Sequence, residues 1–315
     1  MSAILDIAAP VFGLVLAGFL AGRAGILGPE SSVALNRFVY YFALPPVMFL
    51  GTARAPLAAL FNGPYIASIL GGLAVALTLS LVVGRFVFGV RQPALAVQAV
   101  GGVFPNVGYM GIPLFLTAFG PDGALLAVIY VMVGSFVCMA GAIGAIELHR
   151  ASTEGGQILA KVGGALVRNP LLGATVLGTV WSWAALPVPA PVGNFLGLLG
   201  AASGPAALFA LGLSLVGQRL AGDRIEIAWM TFLKLIVQPA ATGWLAFFVF
   251  DLPIFWAWSA VLLAALPTAA LVYVVAQRYD VYLRRASTLI VVTTALSVIS
   301  VSAILAAMGA AMEGG

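Results

Sequence analysis

The chain alternates long apolar runs with short polar segments, and the runs have the length of a membrane span. A bilayer core about 30 Å thick requires about 20 apolar residues in helical form. Ten runs meet this length, at residues 3–22, 31–52, 64–84, 94–119, 123–146, 166–185, 192–216, 226–250, 254–277 and 286–310. Polar segments such as GPDG at 120–123 and QRYDVYLRR at 277–285 separate them. The pattern predicts an all-α integral membrane protein with ten transmembrane helices.

The composition indicates that the solvent of this protein is lipid. Of the 315 residues, 63% are hydrophobic and 8% are charged, and the mean hydropathy is +1.14. The net charge of +4 comes from scattered basic residues without a patch, so we expect no nucleic-acid partner. Cys138 and His149 are the only residues of their types, which excludes an intrachain disulfide and argues against a metal cluster or other cofactor. Asp6 in place of a basic leader predicts an uncleaved first span.

The basic residues fall almost entirely on one side of the predicted spans. The odd-numbered loops and their edges contain Arg23, Arg37, Arg85, Arg91, Arg150, Lys161, Arg168, Arg219, Arg224, Arg278, Arg284 and Arg285. The even-numbered loops contain Arg54 as their one basic residue, together with Asp122 and Asp251. The positive-inside rule then places the odd loops in the cytoplasm and both termini outside. We expect the cytoplasmic (inner) membrane of a bacterium.

Prolines inside the spans predict an internal repeat. A polar connection at 147–165, predicted to be cytoplasmic, separates a first five-helix repeat (1–146) from a second (166–315). Prolines recur across it at offsets of 160, 160 and 162 residues, in the pairs Pro10 and Pro170, Pro45 and Pro205, Pro105 and Pro267. Pro239 has no such counterpart. Because five is odd, the second repeat must enter the membrane inverted, an architecture typical of secondary transporters.

Spans four and nine are interrupted at their centres, by Pro105 and Asn106 in the first and by Pro267 and Thr268 in the second. Non-helical backbone at membrane depth must be buried in protein or line a wet cavity. We therefore expect the two breaks to cross and to direct helix N-termini into one site that favours an anion. The alternative is that these residues only kink the helices for packing. The same stretch adds four candidate binding residues, which are Gly108, Tyr109, Gly111 and Pro113.

Several segments in their order along the chain resemble the auxin efflux carrier family, which includes the plant PIN proteins and bacterial permeases for malonate and similar acids. They are LNRFVYYFALPPVMF (35–49), NVGYMGIPL (106–114), RNPLLG (168–173), LKLIVQP (233–239), LPTAALVYVVAQRY (266–279) and ASTLIVVTTALS (286–297). The resemblance implies two inverted five-helix repeats, a fold similar to the bile acid sodium symporters. It also implies a scaffold part, a transporter part, an X-shaped crossover of helices 4 and 9 beside the substrate, and a homodimer.

By this resemblance Asn106 is the crossover asparagine of the first half. The second half departs from the family pattern, because Leu271 stands where many members have asparagine. Thr268 or Tyr273 is expected to replace it, or the substrate needs less anchoring. Auxin specificity is therefore not transferred to this chain.

Lys234 and Gln238 lie one helical turn apart within span eight. At about 12 Å from the cytoplasmic end, Lys234 either supplies a counter-charge for an anion or extends its amine to the surface. We expect no Asp or Glu inside a span, which argues against a carboxylate proton relay and a carboxylate sodium site. Facilitated export, proton symport and sodium symport all stay open.

The expected function is secondary or facilitated transport of a small organic anion, auxin- or malonate-like, by alternating access at the crossover. An intramembrane enzyme is disfavoured, because the chain has neither an H-E-x-x-H motif nor a serine–histidine pair at membrane depth. A channel or a ligand-sensing receptor on a transporter scaffold is the alternative. The internal repeat favours a carrier, because channels usually repeat whole subunits around a pore.

Overall fold

The computed structural model describes residues 2–154, 164, 169–217 and 222–313. Within these residues the chain is helical, with one isolated β-bridge and no strand. The predicted fold class, an all-α membrane protein, is confirmed at this level. Much of the predicted 147–165 connection lies outside the described residues, as do Lys161, Arg168 and Arg219.

Fifteen helices are described, and four short π-helical segments interrupt their sequence. The helices are α1 (Ser2–Arg23), α2 (Pro29–Phe38), α3 (Leu44–Ala53), α4 (Leu57–Leu60), α5 (Gly63–Phe86), α6 (Ala94–Gly101), α7 (Ile112–Glu154), α8 (Pro170–Trp183), α9 (Ala190–Ala201), α10 (Ser203–Ser214), α11 (Arg224–Phe232), α12 (Gln238–Trp244), α13 (Ile254–Ala264), α14 (Leu271–Tyr279) and α15 (Leu283–Glu313). The π segments are Val39–Ala43, Val107–Gly111, Leu233–Val237 and Leu245–Val249.

Helical structure occupies each of the ten predicted runs, with two differences in detail. Gly120 has φ 69° and ψ −165° inside α7, so the helix is broken there, where GPDG predicted a turn between spans four and five. Glycine permits this backbone because it has no Cβ. The helix also continues past residue 146 to Glu154, so the first part of the predicted connecting loop is helical.

Six helical stretches among the described residues are long and apolar enough to cross a membrane. They are Glu30–Ala53, Leu57–Phe86, Gly123–His149, Ala190–Ser214, Arg224–Val249 and Leu283–Met312. Shorter apolar helices lie at Ala9–Arg23, Val107–Gly120 and Ile254–Ala264. The protein is therefore an integral membrane protein.

Three of the π segments precede a proline by the same spacing. Pro45, Pro113 and Pro239 each stand two residues after the end of a π segment. A proline inside a helix lacks a donor N–H, and its ring clashes with the carbonyl one turn earlier. A wider π turn moves that carbonyl away, so these helices continue through their prolines with a local bulge.

The helices cluster into two compact units. The first unit comprises Met1–Asn62, Val107–Met132 and Val167–Gly217, and the second comprises Gly63–Asn106, Val133–Leu166 and Gln218–Gly315. Each unit therefore combines segments from both halves of the chain. The division into sequence repeats at 1–146 and 166–315 is a different partition and stays a prediction.

The first unit is packed around a close contact between α1 and α10. A Cβ placed on Gly18 would lie 2.0 Å from the carbonyl oxygen of Phe209, and one on Gly212 would lie 1.9 Å from that of Val15. Small residues permit such backbone approach between membrane helices, where van der Waals contact drives association. These two glycines let α1 and α10 pack side by side.

The second unit has a core formed by α11 and α15. Ile227, Met230 and Leu289 are buried against Leu233 in one hydrophobic cluster. Gly102, which follows α6, packs against the same core, because a Cβ there would lie 2.7 Å from the methyl carbon of Met230. The core thus holds the end of α6 in place.

Candidate functional site

Two helices of the second unit end at the predicted breaks and meet there. α6 ends at Gly101 and α13 ends at Ala264, and a non-helical segment follows each. The segments pair in antiparallel orientation through a β-bridge between Pro105 and Thr268. The structure therefore brings the two interruptions of spans four and nine together.

Backbone hydrogen bonds join the two segments on both sides of this bridge. The N–H of Asn106 donates to the carbonyl of Pro267 at 2.7 Å, and the N–H of Ala269 donates to the carbonyl of Phe104 at 2.8 Å. Each break thus satisfies backbone groups that the other exposes. Lipid offers no such partners, so the crossing stabilises both interruptions at once.

Thr268 is buried and holds the crossing to its neighbours. Its hydroxyl donates to the carbonyl of Gly101 at 2.8 Å, at the end of α6, and its N–H donates to the hydroxyl oxygen of Thr293 at 3.1 Å. The single hydroxyl proton of Thr268 is therefore used inside the protein. Thr268 caps a broken helix, and only its oxygen lone pairs are left for a ligand.

Asn106 has a buried amide nitrogen without a partner. Its side chain is 2% exposed, and the Nδ2 atom has no hydrogen-bond partner in the structure. An unsatisfied buried donor costs about 1–3 kcal/mol, so such groups are rare unless a ligand, ion or water completes them. Asn106 therefore presents two N–H donors at the crossing that the protein itself does not use.

Lys234 contacts the end of the helix that precedes the second break. It lies in the π segment before Pro239, is fully buried, and donates from Nζ to the Oε1 atom of Gln238 at 2.8 Å and to the carbonyl of Ala264. The Ala264 carbonyl closes α13, where the helix dipole is negative. The surface-reaching alternative for Lys234 is wrong, because the amine bonds inward and no part of the side chain is exposed.

The first unit contains the other residues predicted from the first break. Gly108, Tyr109 and Gly111 lie in the π segment Val107–Gly111, and Pro113 follows in α7. Pro113 packs beside α10, because a Cβ placed on Gly204 would lie 3.5 Å from the Cβ of Pro113. These four residues belong to another packing unit than the side chain of Asn106.

The start of α14 carries the departure from the family pattern. Leu271 is the first residue of this helix and is half-buried. Tyr273, one of the two proposed replacements for the missing asparagine, is 38% exposed on the same helix. At the second break, the polar groups that hydrogen bonds hold in place are thus those of Thr268.

Sequence reasoning missed a buried carboxylate on α11. Glu226 is 1% exposed, accepts hydrogen bonds from Gln98 at 2.9 Å and from the hydroxyl of Tyr282, and pairs with Arg285 at 2.6 Å. Burial first, and then the hydrogen bond to Glu226, raise the pKa of Tyr282 above its ordinary value, so its hydroxyl stays a donor. The cluster ties α6, α11 and the start of α15 together.

A second buried carboxylate, Glu147 in α7, accepts a hydrogen bond from the hydroxyl of Tyr279 at 2.9 Å and is 5% exposed. The expectation that no Asp or Glu lies inside a span is therefore wrong. Glu147 and Glu226 fall within the apolar stretches Gly123–His149 and Arg224–Val249. Both stand near the end of an apolar run, where sequence alone assigns charges to a loop. Tyr279, the last residue of α14, and Tyr282, three residues later, were the one available signal of buried acceptors.

The chain is similar to known membrane transport proteins along nearly its whole length. The family model described as "Membrane transport protein" matches residues 3–305. A Rhizobium meliloti (strain 1021) protein named "Putative malonate transporter" is 30% identical over 97% of this chain and 96% of its own length. An "Uncharacterized transporter" of Methanothermobacter thermautotrophicus is 28% identical over 92% and 93%. The Escherichia coli (strain K12) "Uncharacterized transporter YfdV" is 26% identical over 87% and 88%.

The fold and the crossing define an all-helical integral membrane protein built around two paired broken helices. The chain belongs to the membrane transport protein family, since the family model covers nearly its whole length. The resemblance to the auxin efflux carriers is thereby confirmed.

Proposed function

We propose that this protein is a secondary transporter of a small organic anion, a carboxylate of the malonate or auxin type, which binds at the crossing of α6–α7 and α13–α14. The observation that carries the proposal is the unpartnered, buried amide of Asn106 at the meeting point of two helix breaks. A carboxylate oxygen is the acceptor that such an amide lacks. The name of the Rhizobium relative supports a dicarboxylate.

The charges near the crossing favour an anion over a cation. α14 begins at Leu271 directly after the second break, so its positive dipole end faces that break. The buried amine of Lys234 lies beside Ala264, three residues before Pro267. No acidic group in the described part of the chain contacts Asn106 or Lys234. A ligand that brings negative charge would therefore gain electrostatic stabilisation there.

Alternating access is the mechanism that the paired breaks support best. We place ten spans in the membrane as two inverted repeats, with both termini outside a bacterial cytoplasmic membrane and with two chains in a dimer. An elevator-like or rocking movement would expose the crossing first to one side of the membrane and then to the other. The function is transport rather than catalysis, as the names of the relatives support.

Ion coupling is open between facilitated, proton-coupled and sodium-coupled transport. Uptake measured with and without sodium, at several values of pH and of membrane potential, separates the three modes.

The test is uptake of labelled malonate and related acids into proteoliposomes. We expect saturable uptake and counterflow, which a carrier shows and a channel lacks. Asn106→Ala should abolish saturable uptake, whereas Asn194→Ala, a control at an exposed asparagine on α9, should not change it. Unsaturable flux in the native protein would show a channel, and normal saturable uptake in Asn106→Ala would place the site elsewhere.

A further inference from the structure

The first unit contains a groove that is lined only by apolar surface. It lies between α3, α8 and α9 and has a volume of about 400 Å³. Its walls include Pro45, Phe49, Leu177, Trp181, Val192 and Leu196. The volume is that of a small-molecule site, yet such sites usually have a few polar groups to orient the ligand. The part of a ligand that enters this groove must therefore be hydrocarbon.

The walls of the groove are held by specific contacts. The ring of Phe49 packs edge-on against the ring of Trp181, with centroids 5.9 Å apart. The hydroxyl of Ser182 donates to the carbonyl of Ala55 at 2.7 Å, which ties the end of α8 to the segment after α3. Pro45 and Pro189 stiffen the backbone of the other walls. The groove is thus a fixed feature of the packed helices.

A cation lies beside the groove, close to its wall residue Val188. Arg54 follows α3 and is exposed, and its guanidinium lies across Gly193 on α9. A Cβ on Gly193 would be 2.9 Å from Nη2 of Arg54 and 3.6 Å from Cγ1 of Val188, a residue that lines the groove. Glycine at this position leaves the space in which the guanidinium lies.

Arg54 has no ion pair within the described residues, and no hydrogen bond holds its guanidinium. It is also the one basic residue that the predicted topology places on its side of the membrane. An apolar groove beside a free guanidinium suits an amphiphile with an anionic head. A neutral apolar ligand would leave the guanidinium unused.

We propose that this groove binds an anionic phospholipid, with one acyl chain between α3, α8 and α9 and with the headgroup phosphate on Arg54. The site lies in the first unit, whereas Asn106 lies in the second, and it is independent of the transported substrate. A lipid held there would stabilise the packing of α3 against α8 and α9.

The test is native mass spectrometry of the full chain in detergent, with phosphatidylglycerol or with phosphatidylcholine of the same acyl chains. One phosphatidylglycerol should stay bound per chain, with a preference over phosphatidylcholine of about fivefold, as expected for one arginine at a lipid headgroup. Arg54→Gln should lower its retention to the level of phosphatidylcholine. Arg85→Gln, at the exposed end of α5, is the matched control and should retain the preference.

The apolar part of the site is tested by Ala174→Phe, which fills the groove from α8 and should reduce the retention of both lipids. If this variant does not fold, the Arg54 and Arg85 variants still decide. Equal retention of the two lipids by the native chain, or an unchanged preference in Arg54→Gln, overturns the proposal. A dimer that Ala174→Phe dissociates also overturns it, because a second copy of the chain would then occupy the groove.

Discussion

Two buried polar regions of the second unit differ in how their groups are satisfied. Around Glu226, both carboxylate oxygens accept hydrogen bonds, from Gln98, Tyr282 and Arg285, although the Oε1 atom of Gln98 has no partner of its own. At the crossing, the backbone groups and Thr268 are paired, but the amide of Asn106 is buried without a partner. A buried carboxylate with both oxygens paired stabilises a fold, whereas an unsatisfied donor lowers stability and is available to a ligand. We therefore expect the Glu226 carboxylate to serve the structure and the Asn106 amide to serve recognition.

The largest effect is expected at the paired carboxylate of Glu226. Glu226→Leu should lower the free energy of unfolding by about 3 kcal/mol, the lower end for breaking a buried ion pair, because Arg285 is 42% exposed and can rehydrate. Thermal and denaturant unfolding in detergent measure the loss. Glu30→Leu, at an exposed position on α2, should leave the stability nearly unchanged. Equal stability of Glu226→Leu and the native chain would remove the structural role of the network.

The next effect is expected at the amine beside the second break. Lys234→Met keeps an unbranched side chain that is one atom shorter and removes its charge and donors. We expect uptake of the anion to fall about tenfold, which corresponds to about 1.4 kcal/mol of lost interaction. The stability should fall less than in Glu226→Leu, because the variant also removes the cost of burying a charge. Unchanged uptake would show that Lys234 serves only to cap α13.

A smaller effect is expected at Thr268. Thr268→Val retains the shape and the backbone N–H but removes the hydroxyl that donates to Gly101. The variant should lose about 1 kcal/mol of unfolding free energy, the usual contribution of one hydrogen bond. Substrate affinity should change little, because the proton lost was never available to a ligand. A large loss of affinity at unchanged stability would instead assign Thr268 to the binding site.

Much of the fold could be predicted because it follows from apolar length and from prolines. α5 and α15 coincide with uninterrupted runs, and Pro105 and Pro267 marked the two breaks that pair. The division into units was not predictable from the runs alone, since each unit combines segments from both halves of the chain.

The binding role of the candidate site residues stays a prediction, and the contacts that these residues make were not predictable from the sequence. Sequence spacing placed Lys234 near Gln238, but the bond to Ala264 depends on tertiary packing across 30 positions of the chain. Glu226 was missed because burial of a carboxylate near a helix end depends on donors from other helices, among them Gln98 and Arg285. Pairwise contacts of this kind leave no periodic signal in one sequence.

The central claim is that the amide nitrogen of Asn106 is unpartnered because the substrate supplies its hydrogen-bond acceptor. The most direct test compares thermal unfolding of the native chain and of Asn106→Leu, with and without malonate and related organic acids. Leucine has nearly the same size as asparagine and removes the unsatisfied donor. Without substrate, Asn106→Leu should therefore be as stable as the native chain, or more stable by about 1 kcal/mol. A substrate should raise the unfolding temperature of the native chain by mass action and leave that of Asn106→Leu unchanged. An equal rise of the unfolding temperature in both proteins would contradict the claim. So would a strong loss of stability in Asn106→Leu without substrate.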